Sequence, residues 1–160
     1  MNSSQLLASR FREVLLNGTF IANTNYRHQL ESTGWQLAVT SAGSLNTIAA
    51  LARHIHYYIA GVLQVLQGGT LDIKDKYSFD FVPVTSGQQW NDILTRLFTD
   101  AETFAALVEQ LPEEKLNQPF VDEKYGSWHR NIDAMIEHCY YHLGQITLLK
   151  KILEQPAARQ

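Results

Sequence analysis

The sequence has little of what several classes of protein depend on. Its single cysteine, Cys139, excludes an internal disulfide framework and predicts a reducing, cytoplasmic setting. No apolar run approaches the ~18 residues that a membrane-spanning helix needs, and residues 1–5 lack the pattern of a secretion signal. Thirteen Lys and Arg stand against sixteen Asp and Glu, with no basic block. We therefore expect neither nucleic acid nor a membrane as a partner.

The chain does have enough apolar residues for one full core. It is 160 residues long, 45% hydrophobic, and carries a formal charge of -3. These values predict a single domain over residues 1–155, followed by a frayed tail over 156–160. Strand patterns are weak and short, whereas apolar residues three and four apart recur along most of the chain.

Four segments show this helical spacing. The first covers residues 5–31 and is interrupted by Gly18, which indicates a bend or the close approach of a neighbouring helix. The second covers 45–66, with Ser44 as the expected N-cap and Gly68 just past its end. The third and fourth segments each follow a longer stretch that lacks helical spacing.

The third helix begins after a cap at Ser86 or Asn91 and ends before Pro112, and the fourth covers 132–153. We interpret three segments as loops: residues 32–44, 70–86 and 112–127, the last with a short extended piece at 119–121. The pattern predicts an all-α four-helix bundle with long loops between helices 2 and 3 and between helices 3 and 4.

Two histidines in the fourth helix carry the strongest chemical signal. His138 and His142 stand four residues apart, so a helix places both imidazoles on one face, close enough to share a metal ion. His142 falls within the apolar seam, and His138 flanks it. The alternative is a pair of histidines hydrogen-bonded to tyrosines and backbone carbonyls. Cys139 is a possible soft ligand, but its seam position favours a buried core thiol.

The second helix offers a third imidazole. His54 and His56 flank Ile55 on opposite sides, so periodicity does not choose between them. Three imidazoles with an open fourth position are typical of a catalytic zinc site. His28 and His129 lie toward the ends of elements, and we interpret both as non-ligands.

The sequence around His138 and His142 disfavours two common types of metal site. A zinc-protease helix needs His-Glu-x-x-His, whereas Glu137 precedes His138. A di-iron bundle needs Glu-x-x-His, whereas Met135 and Cys139 stand three residues before the two histidines.

These residues resemble the DinB-like family, also called the YfiT-like metal-dependent hydrolase group. The resemblance rests on Leu-Ala-Arg-His-Ile at 51–55 and His-Cys-Tyr-Tyr-His-Leu-Gly-Gln-Ile at 138–146, and extends to the connection at 75–80. It implies that His54, His138 and His142 are the metal ligands.

The resemblance also implies a function. It implies a divalent metal, zinc or nickel, a small-molecule substrate, and thiol S-transferase activity with a low-molecular-weight thiol as co-substrate. Glu137 and Asp133 are candidate bases. The alternative is a non-catalytic stress-response or interaction module with a structural metal. A homodimer is expected from the family and from the aromatic residues Trp35, Tyr57, Tyr58 and Trp90.

Overall fold

Four long helical segments surround one continuous cluster of buried apolar side chains. The computed structural model describes residues 1–155. The helices are α1 (Ser3–Arg12), α2 (Tyr26–Glu31), α3 (Trp35–Ala38), α4 (Ile48–Leu66), α5 (Gly87–Glu109), α6 (Glu113–Leu116) and α7 (Trp128–Glu154). A π-helical turn (Glu13–Asn17) extends α1, and 3-10 turns lie at Asp75–Tyr77 and Glu123–Tyr125. The predicted all-α four-helix bundle is confirmed.

The long helices form a ring in the order α1, α5, α4, α7. Packed pairs join α1 to α5, α5 to α4, α4 to α7, and α7 back to α1. Helices α1 and α4 therefore lie on opposite sides of the bundle, and residues 18–47 cross between them. The single-domain assignment stays a prediction, and the expected frayed tail at 156–160 lies outside the described residues.

The first helical segment is shorter than the sequence pattern predicts. Gly18 has extended backbone (φ -98°, ψ 164°), and its N–H donates to the Glu13 carbonyl, which ends the π-helical turn. A Cβ at Gly18 would overlap Glu13. Phe20 and Ile21 consequently lie in a loop, 86% and 63% exposed, rather than on the apolar face of a helix. The close approach at Gly18 is to Glu13 of its own turn and not to a neighbouring helix, and the prediction of one continuous helix that reaches residue 31 was wrong.

Helix α4 begins three residues later than Ser44 would place it. The hydroxyl of Thr47 accepts a hydrogen bond from the Ala50 N–H at 3.1 Å, so Thr47 is the N-cap. The preceding residues are in a turn, because Gly43 has positive φ and the Leu45 N–H donates to the Ala42 carbonyl. Ser86 caps α5 as expected. Ser127 caps α7, which starts before the first residue of the predicted seam.

The loops contain more structure than periodicity reveals. The predicted loop at 32–44 holds α3, and 112–127 holds α6 and a single antiparallel bridge between Pro119 and Ser127. That bridge lies where a short extended piece was predicted. Within residues 1–155, no helix is both long and apolar enough to cross a membrane.

Candidate metal centre

Two facing helices bring three histidines together at the edge of the core. His54 lies in the middle of α4, and His138 and His142 lie one turn apart on α7, which packs against α4. His54 and His142 are buried, and His138 is half-buried. The cluster is therefore fixed by two long helices and still reaches the surface through His138.

The Nε2 atoms of the three rings converge on one point. His138 Nε2 lies 2.9 Å from His142 Nε2 and 3.3 Å from His54 Nε2. Two nitrogens held about 2.0–2.1 Å from one ion lie about 3.3 Å apart at a tetrahedral angle and about 2.9 Å apart at a right angle. Within residues 1–155, these three side chains form a group whose ligand atoms all lie within 4.8 Å of one another. The group could hold a metal ion.

The opposite ring nitrogens fix the tautomers. His54 Nδ1 lies 3.2 Å from the Ser78 carbonyl oxygen, which can only accept, so Nδ1 carries the hydrogen. His142 Nδ1 faces the amide oxygen of Gln145 at 2.6 Å, which assigns the same tautomer.

The tautomers leave lone pairs at the centre of the cluster. In the neutral rings, both Nε2 atoms present lone pairs to His138 Nε2, which carries at most one hydrogen. A cation between the three nitrogens satisfies all of them, so the donor set fits a divalent metal.

The surroundings keep the imidazoles neutral. Burial lowers the pKa of His138 to about 4, and the neighbouring charges of His142 and His54 act in the same direction. Burial also lowers the pKa of His54 and of His142. Neutral imidazole is the form that binds a metal, so all three rings are in the binding form at pH 7.

The connection between α4 and α5 encloses the cluster. Phe79 stacks on His54, with ring centroids 4.1 Å apart and planes 11° apart. Tyr58 lies edge-on to both His54 and His138, with centroids 5.1 and 5.2 Å away. The Tyr58 hydroxyl donates to Asp75 Oδ1 at 2.9 Å. Burial, and then this bond to Asp75, raise the pKa of Tyr58.

These surrounding residues were missed from the sequence. Tyr58 stands four residues after His54, so helical spacing could have placed it on the same face. Asp75, Ser78 and Phe79 lie in a segment without helical period, and no pattern indicates which of its groups face α4. Asp75 lies close enough that its charge raises the pKa of His54 and His138 against the effect of burial.

The other candidates from the sequence lie elsewhere. His56 faces α5, where its Nε2 lies 2.6 Å from Asp100 Oδ2. Cys139 is fully buried, and burial raises the pKa of its thiol. Neither belongs to the three-histidine group. Helical spacing left the choice between His54 and His56 open, and the structure places His54 beside His138 and His142.

The predicted bases and the remaining histidines are also outside the group. Glu137 binds Arg130 at 3.0 Å, and Asp133 binds Arg10 at 2.7 Å, so both carboxylates are held by arginines. His28 contacts Thr24, and His129 is exposed.

Comparison with known families agrees with the fold and the cluster. No curated protein and no solved structure matches the chain. The family model of the DinB superfamily matches residues 25–146, which is more than half of the chain and includes the clustered His54, His138 and His142. The chain belongs to the DinB superfamily.

Proposed function

We propose that this protein is a metal-dependent enzyme that acts on small molecules, of the thiol S-transferase type, with His54, His138 and His142 as the metal ligands. The observation that carries the proposal is the convergence of three Nε2 atoms, with the His54 ring oriented by Ser78 and the His142 ring by Gln145. Zinc and nickel suit three neutral imidazoles. Such an ion would act as a Lewis acid that lowers the pKa of a bound thiol or water.

The protein's own residues orient the ligands and exclude water. The Ser78 carbonyl and the Gln145 amide hold the Nδ1 hydrogens of His54 and His142, which points both Nε2 lone pairs inward. Phe79 covers one face of His54 and keeps water from that side. His54, His138 and His142 would hold the ion through three nitrogens, and a set of three protein ligands would leave it able to take a substrate atom, as in catalytic rather than structural sites.

Tyr58 and Asp75 replace Glu137 and Asp133 as the groups placed to handle protons. The Tyr58 hydroxyl carries its proton at neutral pH, as any tyrosine does, and its raised pKa strengthens that preference; Asp75 holds the hydroxyl in place. In the proposed transfer, a thiolate sulfur forms a bond to an electrophilic carbon, and the leaving group departs with the bonding electron pair. We assign Tyr58 the role of hydrogen-bond donor to that leaving group, for which its single O–H turns away from Asp75.

Metal content tests the ligand assignment. We expect purified wild-type protein to hold about one zinc or nickel ion per chain by plasma mass spectrometry, and His54→Ala, His138→Ala and His142→Ala to lose most of it. His56→Ala is the matched control, since His56 lies on the same helix but binds Asp100. Undiminished metal content in His138→Ala would overturn the site.

Activity tests the reaction separately. We expect metal-loaded wild-type protein to join a low-molecular-weight thiol to a chlorinated aromatic electrophile faster than the His138→Ala variant does. Tyr58→Phe should keep the metal and lose turnover. Bound metal without turnover across thiols and electrophiles would instead support a structural metal in an interaction module.

The cellular location is a further proposal. We infer a reducing, cytoplasmic compartment from the single cysteine, which is fully buried and has no possible partner within the chain. Fractionation of the native host cells tests this inference, and recovery of the protein outside the cytoplasm would contradict it.

A further inference from the structure

A cleft separate from the three-histidine cluster lies between α4 and α5, beneath the connection of residues 70–86. Its volume is about 380 Å³, and its walls include Arg53, His56 and Gln64 of α4 and Arg96 of α5. None of the three clustered histidines lines it, nor does Tyr58 or Phe79. The cleft is thus distinct from the candidate metal centre.

The charged groups that line the cleft are all basic. Arg53 and Arg96 both line it, together with His56, and no carboxylate does. Among the ion pairs of residues 1–155, none involves Arg53 or Arg96. Neither arginine is therefore held in a direct ion pair in the part of the chain that the structure describes.

Arg53 is held in position rather than free in solvent. Its guanidinium lies over the Phe81 ring, 4.3 Å from the centroid, and donates to the Val82 carbonyl. Burial lowers the pKa of Arg53, because its charge is poorly solvated there. A half-buried cation with remaining N–H donors is a favourable partner for an anion.

The nearest carboxylates on α5 already have donors. Asp92 and Asp100 stand one turn before and one turn after Arg96. Asp92 accepts from the Gln88 amide at 2.8 Å, and Asp100 is bound to His56 at 2.6 Å. They reduce the positive potential of the cleft but do not occupy its arginines.

The rest of the wall is apolar. Ile73 and Phe81 of the connection and Ile93 of α5 line the same cleft. We propose that the cleft binds a small oxyanion that carries an apolar or aromatic group, such as a phosphate monoester. The arginines hold the oxyanion, and the apolar side chains contact the attached group.

Calorimetric titration with phenyl phosphate tests the proposal. We expect binding to the wild-type protein, at least about tenfold weaker binding to Arg96→Gln, and weaker binding at higher salt because the contact is electrostatic. Arg96 is exposed, so the substitution leaves the core intact. Arg12→Gln is the matched control, because Arg12 pairs with Glu109 away from this cleft.

Two further ligands separate the contributions. Phenol should bind far more weakly than phenyl phosphate if the charge carries the affinity. Inorganic phosphate should bind more weakly than phenyl phosphate if the apolar wall contributes. Phenol that binds as tightly as phenyl phosphate, or phenyl phosphate no tighter than inorganic phosphate, would overturn the corresponding half of the proposal.

A histidine variant distinguishes this cleft from the metal centre. Binding of phenyl phosphate should persist in His138→Ala, which removes a proposed ligand but no residue of the cleft. Loss of binding in His138→Ala with retention in Arg96→Gln would place the anion at the histidines and overturn the proposal. Absence of binding to the wild-type protein would do the same. These outcomes are independent of whether the metal centre is catalytic.

Discussion

At the scale of single residues, the groups that orient the histidines matter as much as the histidines. Gln145 fixes the tautomer of His142 through its amide oxygen, and the Ser78 carbonyl does the same for His54. Outer partners of this kind raise the basicity of the ligand and restrict its rotation. Of the Gly-Gln pair that follows the last histidine, Gln145 therefore has a physical role at the site.

Replacement of Gln145 should weaken metal binding without removing a ligand. We expect Gln145→Leu to lower zinc affinity by about 10- to 100-fold, because His142 loses the acceptor for its Nδ1 hydrogen. Competition with a chromogenic chelator measures the change. Gln88→Leu is the control, since Gln88 is exposed and bonds Asp92. Equal affinity of Gln145→Leu and the wild type would contradict the orienting role.

The lowered pKa values of the histidines predict a pH dependence of stability in the metal-free protein. The unfolded chain protonates its histidines near pH 6.5, whereas folded His138 does so near pH 4. Between these values the unfolded state binds more protons, so the free energy of unfolding falls as the pH falls from 6.5 toward 4.

Comparison with His138→Gln isolates this effect, because the two proteins share their carboxylates. Denaturant unfolding between pH 7 and 4.5 should show a larger loss of stability in the metal-free wild type than in the variant. Parallel stability profiles would show that burial does not set the pKa of His138.

At the scale of elements, the connection of residues 70–86 is bound along α4, the helix that carries His54. Tyr57 of α4 binds both the N–H and the carbonyl of Lys74, and Tyr58 binds Asp75. Gly61, one turn further along, lets Ile73 pack directly on the helix, since a Cβ there would lie 2.7 Å from Ile73 Cδ1. One face of α4 thus holds the segment that carries Ser78 and Phe79.

An alanine at Gly61 should loosen this segment. The substitution favours the helix by up to about 1 kcal/mol, but it displaces Ile73 and with it the connection. We expect faster proteolysis within residues 70–86 and weaker metal binding in Gly61→Ala. The double variant Gly61→Ala/Ile73→Ala should recover much of both properties.

Gly144→Ala is the matched control for a glycine in a helix. Gly144 lies in α7, and a Cβ there would meet nothing within 4 Å. This variant should gain stability and keep wild-type proteolysis of the connection. A Gly61→Ala variant that behaves like Gly144→Ala would show that Ile73 accommodates the methyl group.

At the scale of the whole molecule, much of the architecture could be predicted from sequence. Regular apolar spacing identified the long helices because each buries one continuous stripe, and the His-x3-His spacing placed two imidazoles together. The order of helices around the bundle was not predictable, since spacing within a helix carries no information on its neighbours. The choice of His54 over His56 came from the family resemblance. That resemblance extended to residues 75–80, but no spacing indicated which of their groups face the site.

A homodimer remains a prediction, and three of the four aromatic residues first offered for it are hydrogen-bonded within the chain. Trp90 is buried and donates to the Thr33 carbonyl, and the Tyr57 and Tyr58 hydroxyls bind the connection. We expect sedimentation velocity at micromolar concentration to show a species of twice the 18.2 kDa chain mass that dissociates on dilution. A single 18.2 kDa species at every concentration would contradict this.

The position of the histidines along the chain has a consequence for the unfolded state. His54 and His138 are 84 residues apart, on two different helices. An ion held between them would act as a cross-link that closes a loop of that length. By the chain-entropy estimate for a disulfide, closing such a loop is worth about 4.5 kcal/mol, provided that the unfolded chain does not bind the ion. In a protein with one cysteine, an ion bound by three imidazoles would supply a reversible cross-link. A chelator, rather than a reductant, would remove it.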